Sequence, residues 1–500
     1  MTQKDLRLQY SGLVVFASRL VSVATGLLFA LMLARAASPP EYDVWFNMND
    51  ISTYFTLMAG VLPFWALRFV AREKQGAIKT GIFSNFIVSL AATAIFLPLI
   101  PFIVSALGPR AQPYVFVYIL FSVQIIEFHL LGMFEACLQA RNPKIVGYGL
   151  LIQQVGKVII GYIVIVQLQL PLLGAVVATI MSFLTQIIYY SKLLFSEMKE
   201  KVNWRYIREW FKGSIANIIN VIGNQLAGLV LIWLFAFGGE GARGSYGAAM
   251  QIANVITYSS LLSYALYPKL LAERRTEDVT DSLKMVLMFA LPMAFGAIVM
   301  SNAFIVLLRP DYPDAGPVLV ALSIDSLIIV LSGIFSVVLY GMETFDQDSQ
   351  ISLRKLARSR LFLVLFLPYF HSMITIPSIL YVLGILAQNQ PIQAAFYVGM
   401  INMTARFVMF VVLVAVVRRI TKVKVPWVSI GKYIGAALVM VLFLETFLFL
   451  VSQPRILYVL VATVVGGLIY LGVLMAIDKE ARALPRLVLK QLRGTNKQEP

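Results

Sequence analysis

"IVGYGLLIQQVGKVIIGYIVIVQ" (Ile145–Gln167) is an apolar run with a lysine, Lys157, near its midpoint. A helix needs about 20 predominantly apolar residues to cross a bilayer core, and this run supplies them. The whole 500-residue chain repeats the pattern, with 59% hydrophobic and 13% charged residues. Soluble globular chains carry about 25% charged residues. The chain therefore reads as an all-α polytopic membrane protein. Strands of a transmembrane β-barrel alternate in hydrophobicity over about 10 residues, and these runs are longer and uniformly apolar.

Fourteen spans are expected: 11–34, 46–67, 82–107, 114–138, 145–167, 172–194, 214–237, 245–268, 284–308, 317–341, 361–384, 391–417, 428–450 and 456–477. Short translocated loops avoid Lys and Arg, which tests the assignment. With residues near the ends of spans counted with the adjoining loops, five of the 41 basic residues fall in alternate loops (Arg35, Arg110, Arg243, Arg309, Arg455) and three deep inside spans (Arg19, Lys157, Arg406). All the others lie on the opposite side, with both termini. The reading is a multi-pass protein of the cell membrane with cytoplasmic termini. The net charge of +16 is then a topology signal, aided by anionic lipid headgroups, and needs no nucleic-acid partner.

The first run is too long for a signal-peptide core and lacks a small-residue cleavage site. The single cysteine, Cys137, allows no internal disulfide. His129 and His371 have no partners at ligand spacing, so neither a metal nor a cofactor is expected. The cytoplasmic linker contains "NWRYIREWF" (Asn203–Phe211). Its spacing puts Trp204, Ile207, Trp210 and Phe211 on one helical face, as in a helix lying in the membrane interface. A solvated linker with anchoring aromatics is the alternative.

Two pairs of segments repeat. "ALRFVAREKQ" (Ala66–Gln75) matches "LYPKLLAERR" (Leu266–Arg275) with Ala71 on Ala272, and "LGPRAQPYVFVYIL" (Leu107–Leu120) matches "LRPDYPDAGPVLVAL" (Leu308–Leu322) with Pro109 on Pro310, both at an offset of 201. The expected organisation is two six-helix lobes as parallel repeats, 1–194 and 214–417. A linker, 195–213, joins them; helices 13 and 14 (418–477) and a tail (478–500) follow. Parallel repeats are a transporter architecture, with the substrate held between the halves.

"LARAASPPEYDVWFNMNDISTYFTLMAGVLPFWALRFVAREK" (Leu33–Lys74) resembles polysaccharide flippases of the multidrug/oligosaccharidyl-lipid/polysaccharide (MOP) superfamily. The resemblance rests on Leu33-Ala34-Arg35, Pro40-Glu41-Tyr42, and Arg68 with Ala71-Arg72. Those proteins usually place Gly after the Tyr, where this chain has Asp43. The resemblance implies transport of a polyprenyl-(pyro)phosphate-linked oligosaccharide from the inner to the outer leaflet by alternating access. Its partners would be that lipid-linked oligosaccharide, membrane lipids and glycan-assembly enzymes.

Charges deep in a span cost about 2.5–3.5 kcal/mol on insertion scales and tend to face a cavity or a partner. Residues three or four apart share a helix face. Gln153, Lys157 and Gly161 form one stripe; Gly399, Asn402 and Arg406 another; Gly12, Arg19, Ser22 and Gly26 a third; and Asn47, Asp50 and Tyr54 a fourth. Asn217, Asn220, Asn224 and Gly228 line the seventh span, and Gly247, Gln251, Asn254 and Tyr258 the eighth. The functional expectation is that Arg19, Lys157 and Arg406 hold phosphate. Asn217, Asn220, Asn224, Gln251 and Asn254 would then meet sugar hydroxyls. Asp50, Glu127 and Asp325 would balance charge or carry a coupling ion. Packing stands beside this: small and polar stripes also join helices, and Lys157 could pair with Glu127 as a buried structural ion pair.

The chain has no G-x-x-x-x-G-K-[ST] stretch, which argues against a P-loop ATPase. Three rivals remain. A multidrug/cation antiporter of the same superfamily would favour acidic over basic residues mid-span. A membrane glycosyltransferase or ligase would need a larger loop carrying acid–base residues, so no catalytic residues are assigned and no enzyme is expected. A lipid scramblase is the third.

Overall fold

The computed structural model describes residues 21–22, 24–109, 111–263, 276–342, 360–388, 390–421, 423–451, 456–479 and 481–482. Arg19, Gly12, the start of the first expected span and the repeat segment Leu266–Arg275 lie outside them. Every regular element among the described residues is helical. Ten helices are long and apolar enough to cross a membrane, and an eleventh span results if the bent pair Pro39–Phe55 and Leu57–Ala71 counts as one. The chain is a multi-pass membrane protein. Its contacts divide it into two units, Met1–Gly244 with Ile376–Ala394, and Ser245–Thr375 with Ala395–Pro500.

In the first unit, α1 (Ala24–Ala36) leads into α2 (Pro39–Phe55) and α3 (Val61–Ala71). Sequence reading placed Pro40-Glu41-Tyr42 in an outer loop, but they form the first turn of α2. Ser38 and Glu41 build a capping box, the Ser38 N–H donating to Glu41 Oε2 at 2.9 Å, and Pro39 needs no N–H at the first helical position. The expected straight second span is bent by 60° between α2 and the helix that follows.

Next come α4 (Ala77–Leu107), α5 (Gln112–Arg141), α6 (Ile145–Gln167) and α7 (Pro171–Leu193), then α8 (Trp204–Gly213) and α9 (Ile215–Phe237). Val44, Met48 and Ile51 of α2 recur at helical spacing. They pack with Phe96, Ile100 and Val104 of α4 and Tyr118, Phe121 and Ile125 of α5. A second core joins Leu62, Ala66 and Val70 of α3 to Met133 and Phe134 of α5 and to Trp210.

Helix α8 departs from the single apolar face expected of it. Trp210 is fully buried, with the rings of Phe69 and Tyr206 against it, whereas Trp204 is 68% exposed. Tyr206 and Trp210, one turn apart, dock α8 on the protein and leave Trp204 turned outward.

The second unit is built from most of α10 (Ala242–Thr257), then α11 (Thr276–Val299), α12 (Ser301–Leu308) and α13 (Gly316–Met342). It continues through α14 (Arg360–Tyr381), α15 (Pro391–Ile420), α16 (Trp427–Leu450) and α17 (Ile456–Ile477); the last six residues of α14 and the first four of α15 fall in the other unit. Helices α16 and α17 share a core with α11 through Leu287, Met288, Tyr433, Met440, Val459 and Tyr470. The Tyr470 hydroxyl donates to the Met288 carbonyl at 2.6 Å. The ends of the fifth and eleventh expected spans both widen into a π-turn, Tyr162–Gln167 and Val382–Leu386.

Gly76 fixes where the linker before α8 meets the start of α4. Its φ is +73°, and a Cβ there would stand 2.6 Å from the Lys201 carbonyl oxygen. Gly76→Ala is expected to destabilise the protein by about 1–3 kcal/mol, read as a lower melting temperature in detergent micelles.

Candidate functional site: charges held within the spans

The first cluster joins α2 to the turn before α10. Asp43 and Asp50 lie two turns apart on α2, so they share a face. The Asp43 carboxylate accepts from the Gly241 N–H at 2.6 Å and from the Gly244 N–H; Gly241 supplies a φ of +82°. Asp50 takes a two-pronged bond from Arg243, Nε to Oδ2 at 2.6 Å and Nη2 to Oδ1 at 2.8 Å. The Arg243 side chain is 1% exposed, and its guanidinium lies 4.8 Å from the Phe46 ring centroid. Planar fork-to-carboxylate pairing is the strong form of ion pair. Asp50 is thus charge-balanced by a residue that sequence reading left in an outer loop.

The other polar residues of α2 are engaged as well. Tyr118 donates its hydroxyl to Asn47 Oδ1 at 2.6 Å, and Tyr54 donates to the Gln225 carbonyl at 2.7 Å. Gln225 also accepts from Thr53 at 3.0 Å through its own side chain. On α9 it is therefore Gln225 and Gly228, where an added Cβ would stand 3.4 Å from the Tyr54 hydroxyl, that meet α2. Asn224 is exposed. Asn217 and Asn220 lie on α9, but their side chains fall outside the described residues.

Lys157 is half-buried on α6. Its ammonium stands 5.1 Å from the Phe29 ring centroid of α1, and it makes no ion pair among the described residues. Gln154, not Gln153, shares its setting: Thr25 of α1 donates to Gln154 Oε1 at 3.2 Å, and Gly161 lies against Phe29. Gln153 turns to Ser182 of α7, at 3.4 Å. The stripe facing α1 runs 154, 157, 161 rather than 153, 157, 161, because on a helix the residues at i−3 and i−4 flank position i on opposite sides. Glu127 of α5 is buried, and its Oε2 has no hydrogen-bond partner among the described residues. No Lys157–Glu127 pair is present. His129, also on α5, is buried with Nδ1 at 2.8 Å from the Ile125 carbonyl.

In the second unit, Arg406 of α15 donates through Nε to Asp325 Oδ1 of α13 at 2.7 Å. The arginine side chain is 35% exposed and the aspartate 8%. Sequence reading gave these two residues separate roles; the fold pairs them. His371 of α14 is buried within electrostatic reach of Arg406. Gln251 on α10 is half-buried, with no partner for Oε1 among the described residues, and Asn254 is exposed.

Sequence reading missed Arg243 and Asp43. A signal existed in Asp43 and Asp50 sharing one face of α2, since two carboxylates there call for donors. Their partners are remote in sequence and were not marked. Arg309, also placed in a loop, is fully buried, with Asp311 at 3.0 Å.

The Asp50–Arg243 pair carries a stability prediction. Removing one partner of a buried ion pair costs about 3–5 kcal/mol, because the other charge stays behind uncompensated. Arg243→Ala is expected to lose about that much by thermal melting in micelles. Asp50→Asn with Arg243→Ala should be more stable than the single alanine variant, and a double variant as unstable as the sum of the two singles would contradict the coupling.

The fold is shared with solved transporters. The structure of the lipid II flippase MurJ in an inward closed conformation matches with a TM-score of 0.68 at 14% identity, over 94% of this chain and 99% of that one. An inward-facing multidrug resistance MATE family transporter of the MOP superfamily gives 0.62 at 13% identity, over 80% and 95%. A MOP superfamily transporter from Pyrococcus furiosus, described as having a binding pocket of reverse polarity, gives 0.50 at 14% identity, over 83% and 96%. No protein-family profile and no curated protein matches the sequence. At such identities the likeness is one of fold: the chain has the helical fold found in MurJ and MATE transporters.

Proposed function

We propose that the chain is a flippase. It moves a polyprenyl-phosphate-linked oligosaccharide from the cytoplasmic to the outer leaflet, for surface polysaccharide or glycoprotein assembly, by alternating access. In this reading the protein has fourteen spans and lies in the cell membrane with both termini cytoplasmic. Two six-helix repeats, 1–194 and 214–417, are followed by helices 13 and 14. It is a transporter with no catalytic residues, served by enzymes that build and consume the glycan.

The observation that carries the cargo class is Lys157. It is a mid-span cation with no acidic partner among the described residues, while Asp50 and Asp325 are each held by an arginine. An uncompensated charge in a low-dielectric slab attracts an opposite charge far more strongly than it does in water. A lipid-linked sugar presents one or two phosphates, and lysine binds phosphate as a point charge. Arg406, one-third exposed, retains guanidinium N–H groups beyond the one given to Asp325, and it and Arg19 are proposed, like Lys157, as phosphate-holding residues. Asn217, Asn220, Asn224, Gln251 and Asn254 are assigned to sugar hydroxyls, and Asp50, Glu127 and Asp325 to charge balance or a coupling ion.

A second reading, a multidrug/cation antiporter, draws on Glu127, whose buried Oε2 has no partner among the described residues. A buried carboxylate suits a cationic drug or a coupling proton. The two readings separate on variants. Lys157→Ala is expected to lower surface glycan display roughly 10–100-fold, the value of one charge-assisted contact, with Lys157→Arg keeping part of it. Full display by Lys157→Ala at normal protein level removes the lysine from the mechanism. Ethidium export that Glu127→Gln abolishes, with no glycan phenotype for either variant, selects the antiporter.

A further inference from the structure

We propose that the turn 72–76 and the linker 195–212 together form a seat for the headgroup of an anionic phospholipid, beside the start of α4. This holds whatever cargo the spans carry.

The fold brings two basic stretches together that are remote in sequence. The Gly76 N–H donates to Glu200, and the Gly76 backbone lies against the Lys201 carbonyl. The Asn203 N–H donates to Thr80 Oγ1 at 2.8 Å. Arg72 and Lys74 on the turn are therefore placed next to the chain that carries Lys199 and Lys201, all at an exposed or half-buried surface.

The acidic residues there are mostly spent. Glu197 binds Arg141, Glu200 binds Gly76, and Glu209 binds Arg205 at 3.0 Å. Glu73 and Glu200 are exposed without an ion pair among the described residues, although Glu200 accepts from the Gly76 N–H. Against these two stand five cations, Arg72, Lys74, Lys199, Lys201 and Arg208, none of which is ion-paired among those residues.

Two aromatic side chains accompany these cations. Lys199 Nζ lies 4.7 Å from the ring centroid of Phe195, which is 60% exposed. Trp204 touches Phe83, near the start of α4, edge-on at 5.9 Å, and is otherwise open. It thus stands where a membrane span begins, the level at which tryptophans collect at bilayer interfaces. Free phosphate would engage the cations and leave Trp204 and Phe195 in water. A lipid headgroup with its glycerol and upper acyl carbons satisfies both, as basic amphipathic helices do at anionic surfaces.

The test uses the full chain in detergent, titrated with phosphatidylglycerol or phosphatidylcholine and read by native mass spectrometry. The wild type is expected to retain phosphatidylglycerol preferentially. Lys199→Gln, Lys201→Gln and Arg208→Gln together should weaken that retention on the order of a hundredfold, about fivefold per cation. Arg205→Gln, whose charge is already matched by Glu209, should leave it unchanged, and inorganic phosphate should not displace the lipid. If the triple variant does not fold, the Lys201→Gln and Arg208→Gln single variants should each show the fivefold loss. Equal retention of both lipids by the wild type, undiminished phosphatidylglycerol retention by folded variants, or displacement by inorganic phosphate overturns the proposal.

Discussion

A charge in the middle of a membrane span must find a partner or a polar opening, at a cost of about 2.5–3.5 kcal/mol otherwise. That constraint orders the described charges. Asp50 is met by the fork of Arg243, and Asp325 by Arg406. Asp43 is met by two backbone N–H groups of the turn carrying Arg243. The buried pair on α2 does two things at once: it removes the penalty and fixes where α10 begins. With both aspartates matched, Lys157 remains a mid-span cation whose described contact is the ring face of Phe29, and the carboxylate of Glu127 remains buried apart from it.

Much of this was legible in the sequence, and the reasons are physical. The ten helices long and apolar enough to cross a membrane follow from apolar length alone, because backbone polar groups in a bilayer can be satisfied only within helices. Lys157, Arg406, Asp50, Asp325 and Glu127 stood out because charges are rare in such runs. What sequence could not give was partnership. Arg406 and Asp325 belong to different helices, and no local pattern links them. Arg243 follows a glycine-rich turn and reads as a loop cation, yet it is buried. Helical spacing also left two choices for the neighbour of Lys157, and packing against α1 selected Gln154. In α8 the pattern marked an apolar face correctly in kind, but docking through Tyr206 and Trp210 divided it between protein and surroundings.

The division of labour within the first unit is consistent with transport. Ion pairs and hydrogen-bonded seams hold α2, α9 and the start of α10 together. Lys157 lies on a different seam, between α6 and α1, where Thr25 and Gln154 supply polar company. On the proposed flippase reading, a fixed cation there would favour a phosphate-bearing lipid over a neutral glycolipid, which gains nothing from it. The fold shared with MurJ and MATE transporters does not itself fix a cargo, so on either proposed reading selectivity would come from side chains rather than architecture.

Transbilayer movement in vesicles reconstituted with the purified protein tests that selectivity most directly. A fluorescent short glycan is attached to a polyprenyl chain either through pyrophosphate or through a neutral ether, and a membrane-impermeant quencher reads which leaflet holds it. The account predicts exchange of the pyrophosphate-linked lipid and little of the neutral one, with the difference lost in Lys157→Ala. Equal movement of both lipids, or movement of neither while ethidium crosses, would contradict it.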